Sequence, residues 1–512
     1  MAEVTRNTVL AVVEETTKNT PVAPSAATDY TALQDGFEFE PAFESLENSE
    51  LQASIGMSAP ILGVESPTCS FSHYFRASGT AGQAPDYNLL LESALGQETI
   101  AAAEYNTVAS STAGDSSTRA VIKVDSAEGA TFERGEALLI QDGTNGYSIR
   151  NVHSISSDDL SLGFNLAAAP ASGVNLGQAV LYKPVSSDSS YPPLSIWGYR
   201  GNGGAIELIS GARVSEMSAT FDAGALINAD FSLQGLEYYF NPIQITSSNK
   251  YIDLTDDGGT VEIVLTEDTY KDPNELAAHI QTVGAAACAA SGGDDFLCSY
   301  SSSTGKFTIS TTTGTVFTLL WNTGTNTANG AHSTLGYSSA ADDSGALTYT
   351  SDSALSWASP YTPSLDSQGP SSAKANEVMF GLFNEYACKA ARSVTFSVNN
   401  EIVDVMSVCS TSGKSDNIAS SREVSAEISL LLTRHEVDTF TRFRNNTTVS
   451  FAYNWGSKSG GDWVKGDCCN IYMPTCKIDS FKLSDQDGLV QLDITLKAFV
   501  DSGLDEVYVN FI

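Results

Sequence analysis

Basic residues are scarce: 26 lysines and arginines stand against 61 aspartates and glutamates, a net charge of -35 over 512 residues. Proteins hold nucleic acid by neutralising phosphates with cations, so tight DNA or RNA binding is excluded. Long apolar runs are also missing. Runs such as 285–290 fall far below the roughly 18 to 20 residues a membrane helix needs, and no membrane partner is expected. The apolar patch at 8–13 is cut off by Glu14 and Glu15, too short and too acidic for a signal peptide. The five histidines (His73, His153, His279, His332 and His435) are scattered, with no H-x-x-x-H or H-E-x-x-H pair, and no G-x-S-x-G elbow presents a serine nucleophile. Arg200-Gly-Asn-Gly-Gly lacks the spacing of a phosphate loop and reads as a turn. Of the eight cysteines only Cys468, Cys469 and Cys476 cluster, without the paired spacing of a zinc site, so reduced thiols are expected, Cys288 and Cys298 included. The acid pairs Asp256-Asp257, Asp294-Asp295 and Asp342-Asp343 lie among small and polar residues as solvated turns do, whereas a glycosidase needs two carboxylates facing a cleft. The expectation is a chain with no catalytic residues, no metal and no cofactor.

What the chain does have is 42% hydrophobic residues, enough to fill cores in the three or four compact units its length suggests. Short alternating segments rich in Val, Ile, Thr, Tyr and Phe recur between Gly, Ser, Asn and Asp clusters, clearest at 69–76, 213–221, 229–234, 393–398, 448–455 and 489–498. Helical patterns are few: 86–95, 275–290, and 435–444 with Val437, Phe440 and Phe443 as a buried stripe. These patterns predict an all-β chain, a sandwich or barrel core with a few short helices, interrupted by small β-rich modules. The division expected is 1–117 (core, with an N-terminal arm), 118–184 (small inserted β-module), 185–243 (core), 244–354 (inserted α+β module projecting outward) and 355–512 (core).

A weak repeat links two parts of that core. The segments starting at Arg213 and Lys477 share apolar positions (Val214 with Ile478, Met217 with Phe481, Ala219 with Leu483) and a glycine turn; beyond it, Leu226–Leu233 matches Leu489–Leu496 if one residue is dropped. A one-residue difference is tolerated in a hairpin loop, whereas inside a strand it would flip every side chain. Two equivalent long hairpins in one sandwich are expected.

The run from Ser70 to Gly96, a strand, a Gly-rich loop and a helix introduced by Ala84-Pro85, resembles the tail tube (major tail) proteins of long, non-contractile-tailed bacteriophages, as do the opening Arg6–Pro21 and the strand at Gly211–Phe221. The resemblance covers 1–243 and 355–512, while 244–350 is similar to small modules of phage virion proteins. It implies a β-sandwich subunit, made in the host cytoplasm and residing in the virion tail, that forms stacked hexameric rings. Its implied partners are copies of itself, the tape-measure, tail-terminator and tail-tip proteins, and DNA in transit without tight binding. In such a tube an acidic wall keeps DNA hydrated and unbound. Glu216, Asp222, Asp230, Asp479, Asp485, Asp487 and Asp493 of the two hairpins are the lumen candidates, with Asp230 and Asp493 the favoured pair; strand alternation lets about half of them face inward. Arg6 and Thr8 in the polar arm (2–35) and Gly79, Thr80 and Gly82 in the loop 77–84 are the candidates for contacts between subunits or rings, as segments that partners order. The competing reading is a β-rich tail-tip or fibre component that binds the host surface; electron microscopy separates rings or filaments from isolated fibre trimers.

Overall fold

The computed structural model describes residues 8–49, 59–100, 104–107, 117–142, 146–201, 205–355, 357, 360, 362–363, 366, 368–382, 388–432, 437–486, 488–501 and 503–512. The chain is all-β, 50% strand against 11% helix, and divides into two compact units: 1–25, 195–211 and 237–361 in one, 26–194, 212–236 and 362–512 in the other.

In the first unit, 244–354 carries a core of its own. The hairpin Tyr251–Asp256 and Gly259–Val264 and the strands Leu297–Ser301 and Lys306–Ser310 supply Ile252, Leu254, Ile263, Phe307 and Ile309. The helix Pro273–Ser291 starts where Asp272 accepts from the backbone N–H groups of Asn274 and Glu275, and its Leu276, Ile280 and Cys288 face that core. At Gly284 a Cβ would sit 2.4 Å from the Phe296 ring, so only glycine permits this approach. The acid pairs lie at turns: Asp257 accepts from the N–H groups of Thr315 and Val316, Asp295 from Thr312 and Thr313, Asp342 from Asn322 and Thr323.

The same unit corrects the expectation for the amino-terminal arm. Arg6 lies outside the described residues, but Val9–Glu14 is a strand whose Leu10 and Ala11 are fully buried. Buried Glu15 accepts from Ser195 Oγ at 2.8 Å and from the N–H groups of Gly211 at 2.8 Å and Asn19 at 2.7 Å. Burial raises its carboxyl above the usual range, opposed by those hydrogen bonds. Trp197 Nε1 donates to Val22 O at 2.7 Å. A composition with little core material still forms core here, because Ser195–Gly211 folds back on it.

The second unit is a sandwich. Its principal sheet uses eight strands, numbered in chain order: β1 (Phe37–Glu40), β2 (Thr68–Tyr74), β3 (Ala205–Asp222, from Ala212 on), β4 (Asn228–Gln234), β5 (Ala391–Met406), β6 (Lys414–Leu431), β7 (Asp462–Gln486, its second half) and β8 (Leu489–Ala498). All pairs are antiparallel, and the registers give the order β1-β2-β4-β3-β5-β6-β8-β7. The first half of β7 belongs to the opposing sheet with Val449–Ser459, Glu377–Gly381, Tyr508–Phe511, Val180–Pro184 and Gly96–Thr99. The sheets meet through aromatic rings, with Phe221 4.2 Å from Tyr453 and Phe75 4.8 Å from Trp455, centroid to centroid.

A six-stranded sheet from Glu104 to Gly177 surrounds the cluster Ile122, Leu138, Ile140, Val152, Leu160 and Leu176, and its ends meet at a Thr107–Val124 bridge. This small barrel begins before residue 118 with Glu104–Asn106; the strand Val180–Pro184, read as part of the insert, pairs instead with the sandwich. Four buried asparagines tie barrel to sandwich. Asn151 Nδ2 donates to Asn470 Oδ1 at 2.7 Å, Asn470 Nδ2 to Asn454 Oδ1 at 2.6 Å, and Asn510 Nδ2 to Asn470 Oδ1 at 3.1 Å. A satisfied network of this kind fixes the geometry of a junction that apolar packing alone would leave free to slide.

Candidate functional site

One face of the principal sheet is filled and the other is open. In-register neighbours share a face, so the rows across the sheet can be read directly. Phe71, Phe231, Met217, Val398 and Val424 form one buried row, and Phe221, Val394, Ile428, Ile494 and half-buried Phe481 another. Between them run Ser72-Asp230-Ser218-Ser397-Ser425-Lys497 and Asn228-Thr220-Thr395-Glu427-Thr495-Ser480, and beyond the second lies Asp222-Ser393-Ser429-Asp493-Lys482. The open face is thus a field of short hydroxyls with carboxylates set among them. Glu38, Glu40, Glu216, Asp222, Asp230, Glu423, Glu427 and Asp493 carry its negative charge, while Lys477, Lys482 and Lys497 lie at the β7–β8 end. The β1 edge thus carries Glu38 and Glu40, while Lys477 and Lys482 stand at the β7 edge with Asp479 between them.

The lumen candidates divide accordingly. Glu216, Asp222, Asp230 and Asp493 share the open face. Asp479 is the extra residue of a bulge between Ile478 and Ser480 and lies 4.0 Å from Lys497, which also pairs with Glu423 at 2.7 Å. Asp485, opposite Val490, alternates with Phe481 and Leu483 and so falls on their face, among those that alternation turns away from the open side. Asp487 lies outside the described residues. The favoured pair holds matching places with different company. Asp230 accepts from Ser72 Oγ. Asp493 accepts from Ser484 Oγ at 2.6 Å, Ser429 Oγ at 2.7 Å and Gln491 Nε2 at 2.7 Å. Partial burial pushes the Asp493 carboxyl up, but these donors and Lys482 outweigh it and hold the group below its ordinary range.

Thr80 and Gly82 line a cleft of about 560 Å³ with Thr28, Ser78, Asp86 and Asp366, and Gly79 lies between Ser78 and Thr80 in the same loop. The loop is already held within the chain: Gly79 N–H donates to Gly466 O at 3.1 Å, and Ser78 Oγ to Thr80 O and Gln83 O at 2.9 and 3.0 Å. Behind it, Asp86 meets His73 and Arg76, each at 3.3 Å, while Asp366 accepts from Asp86 N–H at 3.0 Å and its carboxyl is pushed up to about 7 by burial and the Asp86 charge. Thr8 begins the described part of the arm, next to Val9–Glu14. The helix expected at 435–444 runs Val437–Arg444, but Phe440 is 48% exposed. It and Phe443 pack on Phe481 of β7, an edge of the sheet that no strand among the described residues extends.

Comparison with known proteins adds little to this geometry. No protein-family model matches the chain, and no curated protein matches it. Among solved structures, the chain is similar to one described as "Virion of native gene transfer agent (GTA) particle", at 15% identity over 27% of this chain and 95% of that one, with a TM-score of 0.19.

Sequence reasoning missed β6, an 18-residue strand, and the far half of β5, the 16-residue strand it pairs with from Ala391 to Met406. Alternation through Val394, Phe396, Val398, Val424, Ala426 and Ile428 was the available signal.

Proposed function

We propose that this chain is a structural, non-catalytic virion protein that assembles into stacked rings to form a phage tail tube, with the open face of the principal sheet lining the channel for DNA. The carrying observation is that face itself: a continuous antiparallel sheet, packed on one side and covered on the other by hydroxyls and carboxylates. A wall of this kind repels a polyanion while remaining wet, so DNA slides without being held. Supporting this reading, the hairpin tips beside the sheet expose Phe43, Leu46, Ile61 and Leu62 in one case and Val403, Met406, Val408 and Ile418 in the other. Apolar groups gathered like this call for a covering partner, and a ring stacked above or below supplies one. The terminator, tape-measure and tail-tip proteins belong to the same reading.

Electron microscopy of the purified chain tests it. Rings with an open centre, or filaments built from them, are expected; particles with no central hole would overturn it. Reversing the favoured pair, Asp230→Lys with Asp493→Lys, is expected to slow or stall DNA ejection from particles whose tails still assemble, and unchanged ejection would remove both residues from the wall.

A further inference from the structure

The principal sheet is two copies of one four-stranded motif laid side by side. In the first, the order is β1-β2-β4-β3; in the second, β5-β6-β8-β7. The match holds residue by residue. Phe37 opposes Phe71, which opposes Phe231, which opposes Met217; Val394 opposes Ile428, Ile494 and Phe481 in the same succession. Each motif has a bulge at the same place, between Val214 and Glu216 and between Ile478 and Ser480, and a left-handed glycine in the same turn, Gly224 at φ 86° and Gly488 at φ 81°. The motifs join where β3 pairs with β5: Ser218 opposes Ser397, Ala219 opposes Phe396 and Thr220 opposes Thr395.

Two edges are left over. Among the described residues, no register pairs the outer edge of β1, or that of β7 from Ser480 to Gln486, with another strand. Ala219 at the internal junction is 0% exposed, whereas Leu483, its counterpart on β7, is 53% exposed. Glu38 and Glu40 stand on one free edge and Lys482 on the other.

We propose that copies of this chain join head to tail by repeating, across the chain boundary, the junction that β3 makes with β5. Then β7 of one copy adds to β1 of the next, with Lys482 opposite the partner's Glu40, Leu483 opposite the partner's Phe39 and Ser484 opposite the partner's Glu38. The register is the internal one transferred motif for motif. It places an opposite-charge pair on the open face and covers Leu483 on the other. A heterologous contact of this type closes into a ring when the rotation allows. Each chain fills two motif positions, so the six-position ring of the tube reading, on which this count rests, closes with three chains rather than six.

The test is a chain carrying Glu40→Cys and Lys482→Cys, with exposed Cys409 changed to Ser. Mild oxidation is expected to link chains in the double variant and in neither single one, and complete oxidation to stop at a covalent product of three chains. A product that stops at six overturns the count. Rings that assemble without any disulfide overturn the edge pairing and leave the tube reading standing, whereas a chain that forms no ring at any concentration overturns both. As an independent check, Lys482→Glu is expected to raise the concentration needed for assembly by about fivefold, and adding Glu40→Lys to restore it. No restoration would overturn the pairing of these residues.

Discussion

Ala219 and Leu483 occupy the same place in two copies of one motif, on equivalent strands, three positions past the same bulge. In the first motif β5 lies alongside and the residue is sealed; in the second no strand among the described residues lies alongside and it is half exposed. The strands are alike and the neighbours are not. Burial in a sheet is therefore a property of the pairing, and residue types have followed it: small Ala219 and Ser218 where a strand is supplied within the chain, larger Leu483 and charged Lys482 where the edge is free.

The sharpest way to break this comparison is to place a charge at both positions. Ala219→Asp is expected to cost the unassembled chain about 3 to 5 kcal/mol, since a carboxylate without a partner would sit in a sealed junction. Leu483→Asp is expected to stay within about 1 kcal/mol of the parent while abolishing ring formation. Thermal melts of the monomer beside electron microscopy read both, and equal losses of stability would end the claim that the two edges differ.

Where the motifs agree, truncation should cost alike. Phe231→Ala and Ile494→Ala each empty a buried position in the matched rows, and about 3 kcal/mol is expected for each from urea unfolding midpoints. A loss at only one would show that one motif dominates the core.

The smallest effect concerns the matched acids. The Asp493 carboxyl is held below its ordinary range in the folded chain. Its contribution is thus present above the unfolded-state value and lost as the pH falls through the lowered folded one. Asp493→Asn is expected to lose at most about 1 kcal/mol at pH 7 because the group is partly solvated, and nothing near pH 2. Asp230→Asn, which gives up one side-chain donor in place of three, is expected to lose less at pH 7. Unfolding midpoints at the two pH values decide.

Much of this was legible in the sequence. The pairing of Val214 with Ile478 and Met217 with Phe481, and the one-residue difference in the loop, are what the two hairpins display, because a hairpin is local and its turn glycine marks the register. The rest of the motif was not legible. β1 and β2 correspond to β5 and β6, but the 27 residues between Glu40 and Thr68 hide the correspondence that the hairpin of β5 and β6, with seven residues between its strands, shows. That about half of the acids turn away from the open face follows from alternation alone: Asp485 stands two and four residues past Leu483 and Phe481 and shares their face. The arm was misjudged because Leu10 and Ala11 are buried by strands nearly 200 residues further on.

The sequence by itself determined the period-two alternation that separates Phe71, Phe231 and Ile494 from Ser72, Asp230 and Asp493, the acidic character of the chain, and the two hairpins. Each of these depends on residues within a few positions of one another. The tertiary structure alone decided that β5 and β6 lie between the two hairpins, that Glu15 is buried, that four asparagines fasten the barrel, and that Leu483 stands at an open edge. Those outcomes depend on hydrogen bonds between strands far apart in the chain, and such bonds are satisfied by any extended backbone, so only the packing of the whole sandwich selects which strand supplies them.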